Sequence, residues 1–261
     1  DNNDEKFQSY TGYVLPYDGI DILINAVSRK TNDFTQANGE PFKNSGEQQK
    51  SLLAKIERYT INSILSYSFR SSEDLGVEPF DLISDCNNPD QADILCRDML
   101  RDTNEKAHSF RGQYNPDNSL IDFDFVVGYI DKGVIEQNEL GDSFVFINNN
   151  ENPIGRFQYD IWNINIKNVS QIDFLNSSCW TYGIQATREK RISKQERDGA
   201  LIEYSNQPSG TKETEAIYGD FVLNIDKWRF QLGFRHDKYS VFSEDDRISN
   251  FTKIRFGDEK I

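Results

Sequence analysis

The sequence predicts an all-β chain, and among all-β folds a transmembrane antiparallel β-barrel with long extracellular loops. Three observations carry that expectation. Amphipathic strand pairs closed by tight turns alternate with long, polar, charge-rich excursions, the up-and-down pattern of such a barrel. The 261 residues are 13% aromatic yet have a mean hydropathy of −0.70, which suits strands that show one side to apolar surroundings and the other to water. No run approaches about 18 consecutive apolar residues, which excludes a transmembrane helix but not a strand that is apolar only at every second position.

About five strand pairs, hence about ten strands, follow from period-two alternation. In the first, Phe7 to Leu15 alternates weakly, Pro16 to Gly19 make the turn, and Ile20, Ile22, Ile24 and Ala26 return. The second sets Leu52, Ala54 and Ile56 against Ile61, Leu65, Tyr67 and Phe69, with a turn near Tyr59 and Thr60 and with Ile64 on the wrong face. The third runs from Ala107 through Phe110, Gly112 and Tyr114, turns at NPDNS (Asn115 to Ser119), and returns on Ile121, Phe123, Phe125, Val127 and Tyr129. Asp122 and Asp124 then point inward between large apolar residues, which is costly in a packed core and cheap beside a wet lumen. The fourth pairs Trp162, Ile164 and Ile166 with Trp180, Tyr182, Ile184 and Ala186 across a longer turn, in which NVSQIDF reads as a bend or a short extra stretch.

The fifth pair, Glu213 to Tyr239, is the clearest. Ile217, Gly219, Phe221, Leu223 and Ile225 share one face, and after a turn at Asp226 and Lys227 the residues Trp228, Phe230, Leu232 and Phe234 continue it. Tyr218, Asp220, Val222 and Asn224, then Arg229, Gln231, Gly233, Arg235 and Asp237, take the other. Ser249 to Phe256 is a candidate further strand. Tyr114, Tyr129, Tyr159, Trp180, Trp228 and Tyr239 at the run ends suit aromatic girdles at two headgroup levels.

Four long segments join the pairs: Lys30 to Lys50, Ser71 to Lys106, Asp131 to Arg156 and Thr187 to Lys212. Connections of that length are normally functional, and Ser71 to Lys106 is the expected protein-contact loop. A net charge of −14 argues against a nucleic-acid backbone as partner, and suits solvated acidic loops, a basic partner or a cation-bearing ligand. The acidic start, DNNDEKFQSY, is no signal peptide, so a leader is expected outside this sequence.

Cys86 and Cys96 lie within one loop, DCNNPDQADILCRD, where a disulfide would staple a local lobe. Leu95, Met99 and Leu100 of that lobe suggest a short helix on the rim. Cys179 is expected as a buried free thiol. The spacing is wrong for zinc, and His108 and His236 are the chain's two histidines. His108 reads as a satisfied strand side chain and His236 as an interfacial ring at a strand end, although an imidazole there is chemically able to ligate a metal or a haem iron. Glu244, Asp245 and Asp246, and Asp122 with Asp124, lack calcium-loop or glycosidase spacing. With no phosphate-binding Gly loop, GxSxG or HExxH, no enzyme is expected.

GDFVLNIDKWRFQLGFRHDKYS (219–240) resembles the stretch of TonB-dependent outer-membrane receptors in which strand, short periplasmic turn and strand end in a GxRyDxY phrase. NSGEQQKSLLAKIERYTINSILSYSFRSSED and RGQYNPDNSLIDFDFVVGYI resemble the haem and haemoglobin receptor branch. The resemblance implies a barrel of roughly 22 strands with a plugged lumen. Residues 1–261 would be the middle of that barrel, with the plug and TonB box absent from this sequence. It implies a Gram-negative outer-membrane receptor that captures haem, or a haemoglobin-like host protein, with its extracellular loops. Import would draw on the TonB complex through the absent N-terminal region, with outer-membrane lipid around it and haem as transported ligand rather than covalent cofactor. The family's ligand histidine lies between FRAP and NPNL phrases, which do not occur here, so His108 and His236 receive no haem role and the ligand-contacting residues stay unknown. Open sheet edges are not tolerated in lipid, so this chain is not a closed transporter by itself. A ferric-siderophore receptor and a secreted β-sandwich binding module or adhesin remain as alternatives, the latter requiring Ile121, Phe123 and Phe125 buried against a second sheet. An outer-membrane enzyme barrel is a weaker third.

Overall fold

The computed structural model describes residues 6–14, 19–32, 34–35, 39, 41–42, 46–79, 98–138, 154–172, 178–197, 200–203, 209–225 and 227–244. They form the strands β1 (Lys6–Val14), β2 (Ile20–Lys30), β3 (Phe34–Thr35), β4 (Pro41–Phe42), β5 (Glu47–Tyr59), β6 (Ser63–Pro79), β7 (Asp98–Tyr114), β8 (Phe123–Asn138), β9 (Ile154–Ile172), β10 (Ser178–Arg197), β11 (Ala200–Glu203), β12 (Gly210–Ile225) and β13 (Trp228–Ser243). Ten of them make one antiparallel meander in the order β1-β2-β5-β6-β7-β8-β9-β10-β12-β13, with β11 against the end of β10 and β3 and β4 as a separate hairpin.

The portion of a transmembrane antiparallel barrel expected from the sequence is, in the structure, an open sheet. Among the described residues the sheet is open: β1 pairs only with β2 and β13 only with β12, so each outermost strand keeps one unpaired edge. Both edge strands are exposed along nearly their whole length. Closure needs a hydrogen-bonded partner at each edge, and the described strands supply none.

Directly paired residues share a face, so the register sorts every side chain. One rung reads Ile22, Ile56, Tyr67, Phe110, Val127, Ile164, Ala186, Glu215, Lys238 across nine strands. A neighbouring rung on the opposite face reads Asp21, Glu57, Ser66, Arg111, Val126, Asn165, Gln185, Ala216, Asp237. Burial is inverted relative to a protein in water: Val134, Phe157, Ala216 and Val222 are buried on the polar face, whereas on the apolar face Ile184, Ile217 and Leu232 are 50%, 52% and 73% exposed. Ile121 is 37% exposed, and no second sheet lies over it among the described residues, so the burial demanded by the sandwich alternative is missing.

The apolar zone runs obliquely across the strands. On β2 it is centred at Leu23, whose rung reaches β12 at Thr214, yet on β12 the zone is centred at Phe221, seven residues further along. Seven residues at ~3.4 Å against seven strand spacings at ~4.8 Å give an obliquity of roughly 35°. This explains how one rung runs from Ile22 to Lys238 without a charge entering the zone.

Aromatic rings roof the cross-strand glycines. A Cβ on Gly112 would lie 2.1 Å from Phe125 Cε1, and one on Gly219 would lie 2.4 Å from Phe234 Cε1, so these positions must stay bare for the rings to lie flat. The Asn115–Ser119 turn leads into a segment that docks on β9: Val169 N donates to Asp122 O at 3.0 Å and Gln171 N to Ser119 O at 2.6 Å. That docking extends β9 to Ile172 through NVSQI, so the extra stretch expected there is strand.

The long segments are shorter than the sequence suggested, because strands invade them. β6 and β7 stay paired from Ser71–Lys106 up to Pro79–Asp98, which makes Met99 and Leu100 strand residues where a short helix was expected. Cross-strand charges, Arg70 on Glu105 and Arg101 on Glu136 at 2.8 Å, hold these polar extensions. Leu95, Asp245, Asp246 and the Ser249–Phe256 candidate strand lie outside the described residues.

Candidate functional site

The polar face is the surface with the chemistry to meet a polar or charged ligand. Its lower part carries three side-chain hydrogen-bonded groups. Arg111 donates twice to Asp124 Oδ2, at 2.8 and 3.2 Å, and Gln113 donates to the same oxygen at 3.0 Å. Asp124 is thereby buried at 8% exposure with its charge satisfied. Asp122 lies outside the strand beside it, and its backbone rather than its carboxylate makes the contacts with β9. Tyr218 Oη reaches Asn165 Oδ1 at 3.1 Å, and Gln231 donates to both oxygens of Asp220.

At the turn end of β1, β2 and β5, Tyr13 donates to Asp21 at 2.9 Å and Tyr59 to Glu57 at 2.9 Å, while Lys55 sits 2.8 Å from Glu57. The Glu57 carboxylate accepting from Tyr59 pushes that phenol up to about 12. Three fixed hydroxyl and ammonium donors thus hold two carboxylates that face each other across β2 and β5.

Higher up, Gln185, Thr187, Glu189, Lys212, Thr214 and Arg235 line a polar pocket of about 230 Å³ where β10, β12 and β13 meet. Arg235 is oriented by Asp237, with bonds of 2.8 to 3.0 Å, and donates to Gln185 at 3.2 Å. Lys212 lies 5.4 Å from the Tyr239 ring centre, and each raises or lowers the other: Tyr239 holds the ammonium pKa above its usual value and Lys212 draws the phenol below its own. Two cations, two hydroxyls, an amide and a carboxylate suit reversible binding of a small polar or anionic group. Half of this pocket's lining, Thr187, Glu189 and Lys212, falls inside the Thr187–Lys212 segment expected as loop; the alternation Thr187, Glu189 against Lys212, Thr214 is the signal that marks it as strand.

The histidines lie elsewhere. His108 stands on the apolar face, sharing a 2.8 Å hydrogen bond with the Tyr67 hydroxyl and packing against Phe69 and Tyr129 at ring-centre distances of 5.0 and 6.3 Å. His236 is opposite Ile217 on the same face. Cys179 is a free thiol, half-buried rather than buried, and it faces Val222 on the polar side. Cys86 and Cys96 are outside the described residues. Of the expected girdle residues, Tyr114, Tyr129, Trp180 and Trp228 lie on the apolar face, but Tyr159 and Tyr239 fall on the polar face, in register with Lys132 and Thr214. Among the described residues no three of His, Cys, Asp or Glu gather as metal ligands.

These features define an open antiparallel meander with an exposed apolar face and a networked polar one. No family model matches the chain. It is 23% identical to "TonB-dependent heme receptor A" of Haemophilus ducreyi (strain 35000HP / ATCC 700724), over 90% of this chain and 35% of that protein. Its fold is similar, at a TM-score of 0.67 and 16% identity, to a solved structure described as a double mutant of the Serratia marcescens hemophore receptor HasR in complex with its hemophore HasA and heme. That likeness covers 91% of this chain and 33% of HasR, so the chain spans about a third of the length of both relatives.

Proposed function

We propose that this chain is part of a TonB-dependent receptor of the outer membrane that takes up haem, or iron carried with haem. The observation that carries the reading is the inverted burial: exposed Ile, Leu and aromatic side chains form one oblique zone, and Val134, Phe157, Ala216, Val222 and the Asp124 carboxylate are buried on the opposite face. In water such a zone is an aggregation surface, whereas against hydrocarbon it costs nothing. The obliquity of roughly 35° matches the tilt of strands set in a lipid slab. Distant similarity to a haem receptor, and a fold shared with a hemophore receptor, support the cargo.

The apolar face rests against outer-membrane lipid, and the polar face meets the ligand. Function is capture and passage without covalent chemistry. Bound groups exchange with the Arg111, Asp124 and Gln113 network and with the Lys212 and Arg235 pocket, while regions outside the described residues, including the Cys86–Cys96 segment with its proposed disulfide, serve contact with a haem-carrying protein. Coupling to TonB belongs to the remaining two-thirds of a protein of this kind.

A ferric-siderophore receptor is the second reading, since the cationic pocket would also accept an anionic chelate. Titration of the full-length protein with haem and with ferric chelates separates the two. Saturable haem binding supports the proposal; binding of chelate alone replaces it.

A further inference from the structure

Above the apolar zone, on the same face, the sheet carries a depression of about 400 Å³ centred on Gly133. It exists because the rung Asn104, Gly133, Gln158, Ile192 lacks a side chain at its middle, and a Cβ built on Gly133 meets no atom within 4 Å. The rung below reads Lys106, Asp131, Asp160, Lys190, and Tyr129, at the rim of the apolar zone, donates to Asp160 at 3.0 Å. The depression is therefore centred two rungs of this face above the Tyr129 and Trp162 rings, whose centres are 4.5 Å apart.

Its lining is of mixed chemistry. The amides of Asn104 and Gln158 and the Asp131 carboxylate suit sugar hydroxyls, and Ile135, Ile192 and Leu201 offer apolar surface to a ring face. Lys106, Arg156 and Lys194 supply positive charge, with Arg156 oriented by two bonds to Glu196 at 2.8 and 2.9 Å. Guanidinium and ammonium groups beside neutral amides suit phosphate attached to sugar.

We infer that this depression binds the phosphorylated sugar head group of an outer-leaflet glycolipid, with its acyl chains laid down the apolar zone. The occupant follows from continuity: beneath a molecule seated at Gly133, past the single charged rung of Lys106, Asp131, Asp160 and Lys190, lies the exposed apolar face, so an amphiphile gains contact below its head and a soluble anion only at its head. The inference rests on the reading that this face meets lipid.

The test uses full-length protein in mild detergent, with intact-complex mass spectrometry after addition of diphosphorylated, acylated glucosamine disaccharide, of phosphatidylglycerol or of inorganic phosphate. Wild type should retain the glycolipid through detergent exchange and prefer it over both others. Gly133→Phe, whose Cβ meets no atom within 4 Å and whose ring would occupy the depression, and Lys106→Gln with Lys194→Gln should each weaken retention by about tenfold or more. Equal retention by wild type and both variants, or retention of phosphatidylglycerol or phosphate as strong as that of glycolipid, overturns the inference. Vesicle flotation of the same preparations separates the two readings: a wild type that stays in the aqueous fraction contradicts the lipid-facing reading itself, while one that floats without preferring glycolipid contradicts only this site.

Discussion

Arginine placed on the apolar face should cost free energy according to depth in the oblique zone, not according to rung. Ile56 and Ala186 share one rung but stand five strands apart. The zone shifts by about one residue per strand against the rungs, so five spacings of ~4.8 Å at roughly 35° obliquity set Ala186 about 14 Å nearer the upper rim than Ile56. Ile56→Arg should then cost about 2–4 kcal/mol and Ala186→Arg about 0–1 kcal/mol, the values for arginine at mid-depth and near the interface of a lipid-facing strand. Reversible denaturation of the full-length protein folded into lipid vesicles reads both. Equal costs would refute the oblique zone, and near-zero costs for both would refute lipid contact.

Gly112→Ala should destabilise by about 1–3 kcal/mol in the same assay, because its methyl must displace the Phe125 ring, and the double variant with Phe125→Leu should recover part of the loss. Asp124→Leu should cost more than the joint replacement of Asp124 and Arg111, since removing one partner strands the guanidinium in a half-enclosed network. Tyr59 ionises only near 12 because the neutral phenol donates to Glu57, so this contribution is complete below the ordinary tyrosine value and is lost as pH rises through 12. Ultraviolet titration of wild type against Tyr59→Phe should show that late step, and Glu57→Gln should bring it back toward about 10. Thiol counting should find one reactive cysteine, Cys179, before reduction and all three of the chain's cysteines after it if Cys86 and Cys96 are bridged.

Period two was legible wherever one face was apolar. The alternations at Phe123–Tyr129, Trp162–Ile166, Trp180–Ala186 and Ile217–Phe234 all lie on strands with the expected sides, and the NPDNS turn joins β7 to β8. Ile64 does face the polar side, opposite Tyr59 and Gln113 near the lower turn. The upper halves of β6, β7, β8 and β10 were not legible, because both of their faces are polar and their pairing is carried by cross-strand charges such as Arg101–Glu136, which leave no hydrophobic period. Tyr159 and Tyr239 misled for a related reason: position near a run end gives height but not side, and one residue of register reverses the side. The Gly133 depression had no sequence signal, since it is the space left by an absent side chain between neighbours on three other strands.

The most direct test is the cargo. Full-length protein in detergent should be titrated with haem and, in parallel, with ferric siderophores, following the haem absorption band and intrinsic tryptophan fluorescence. Saturable haem binding, weakened by Lys212→Gln with Arg235→Gln on the polar face, is the expected result. Saturable siderophore binding with no haem binding would contradict it.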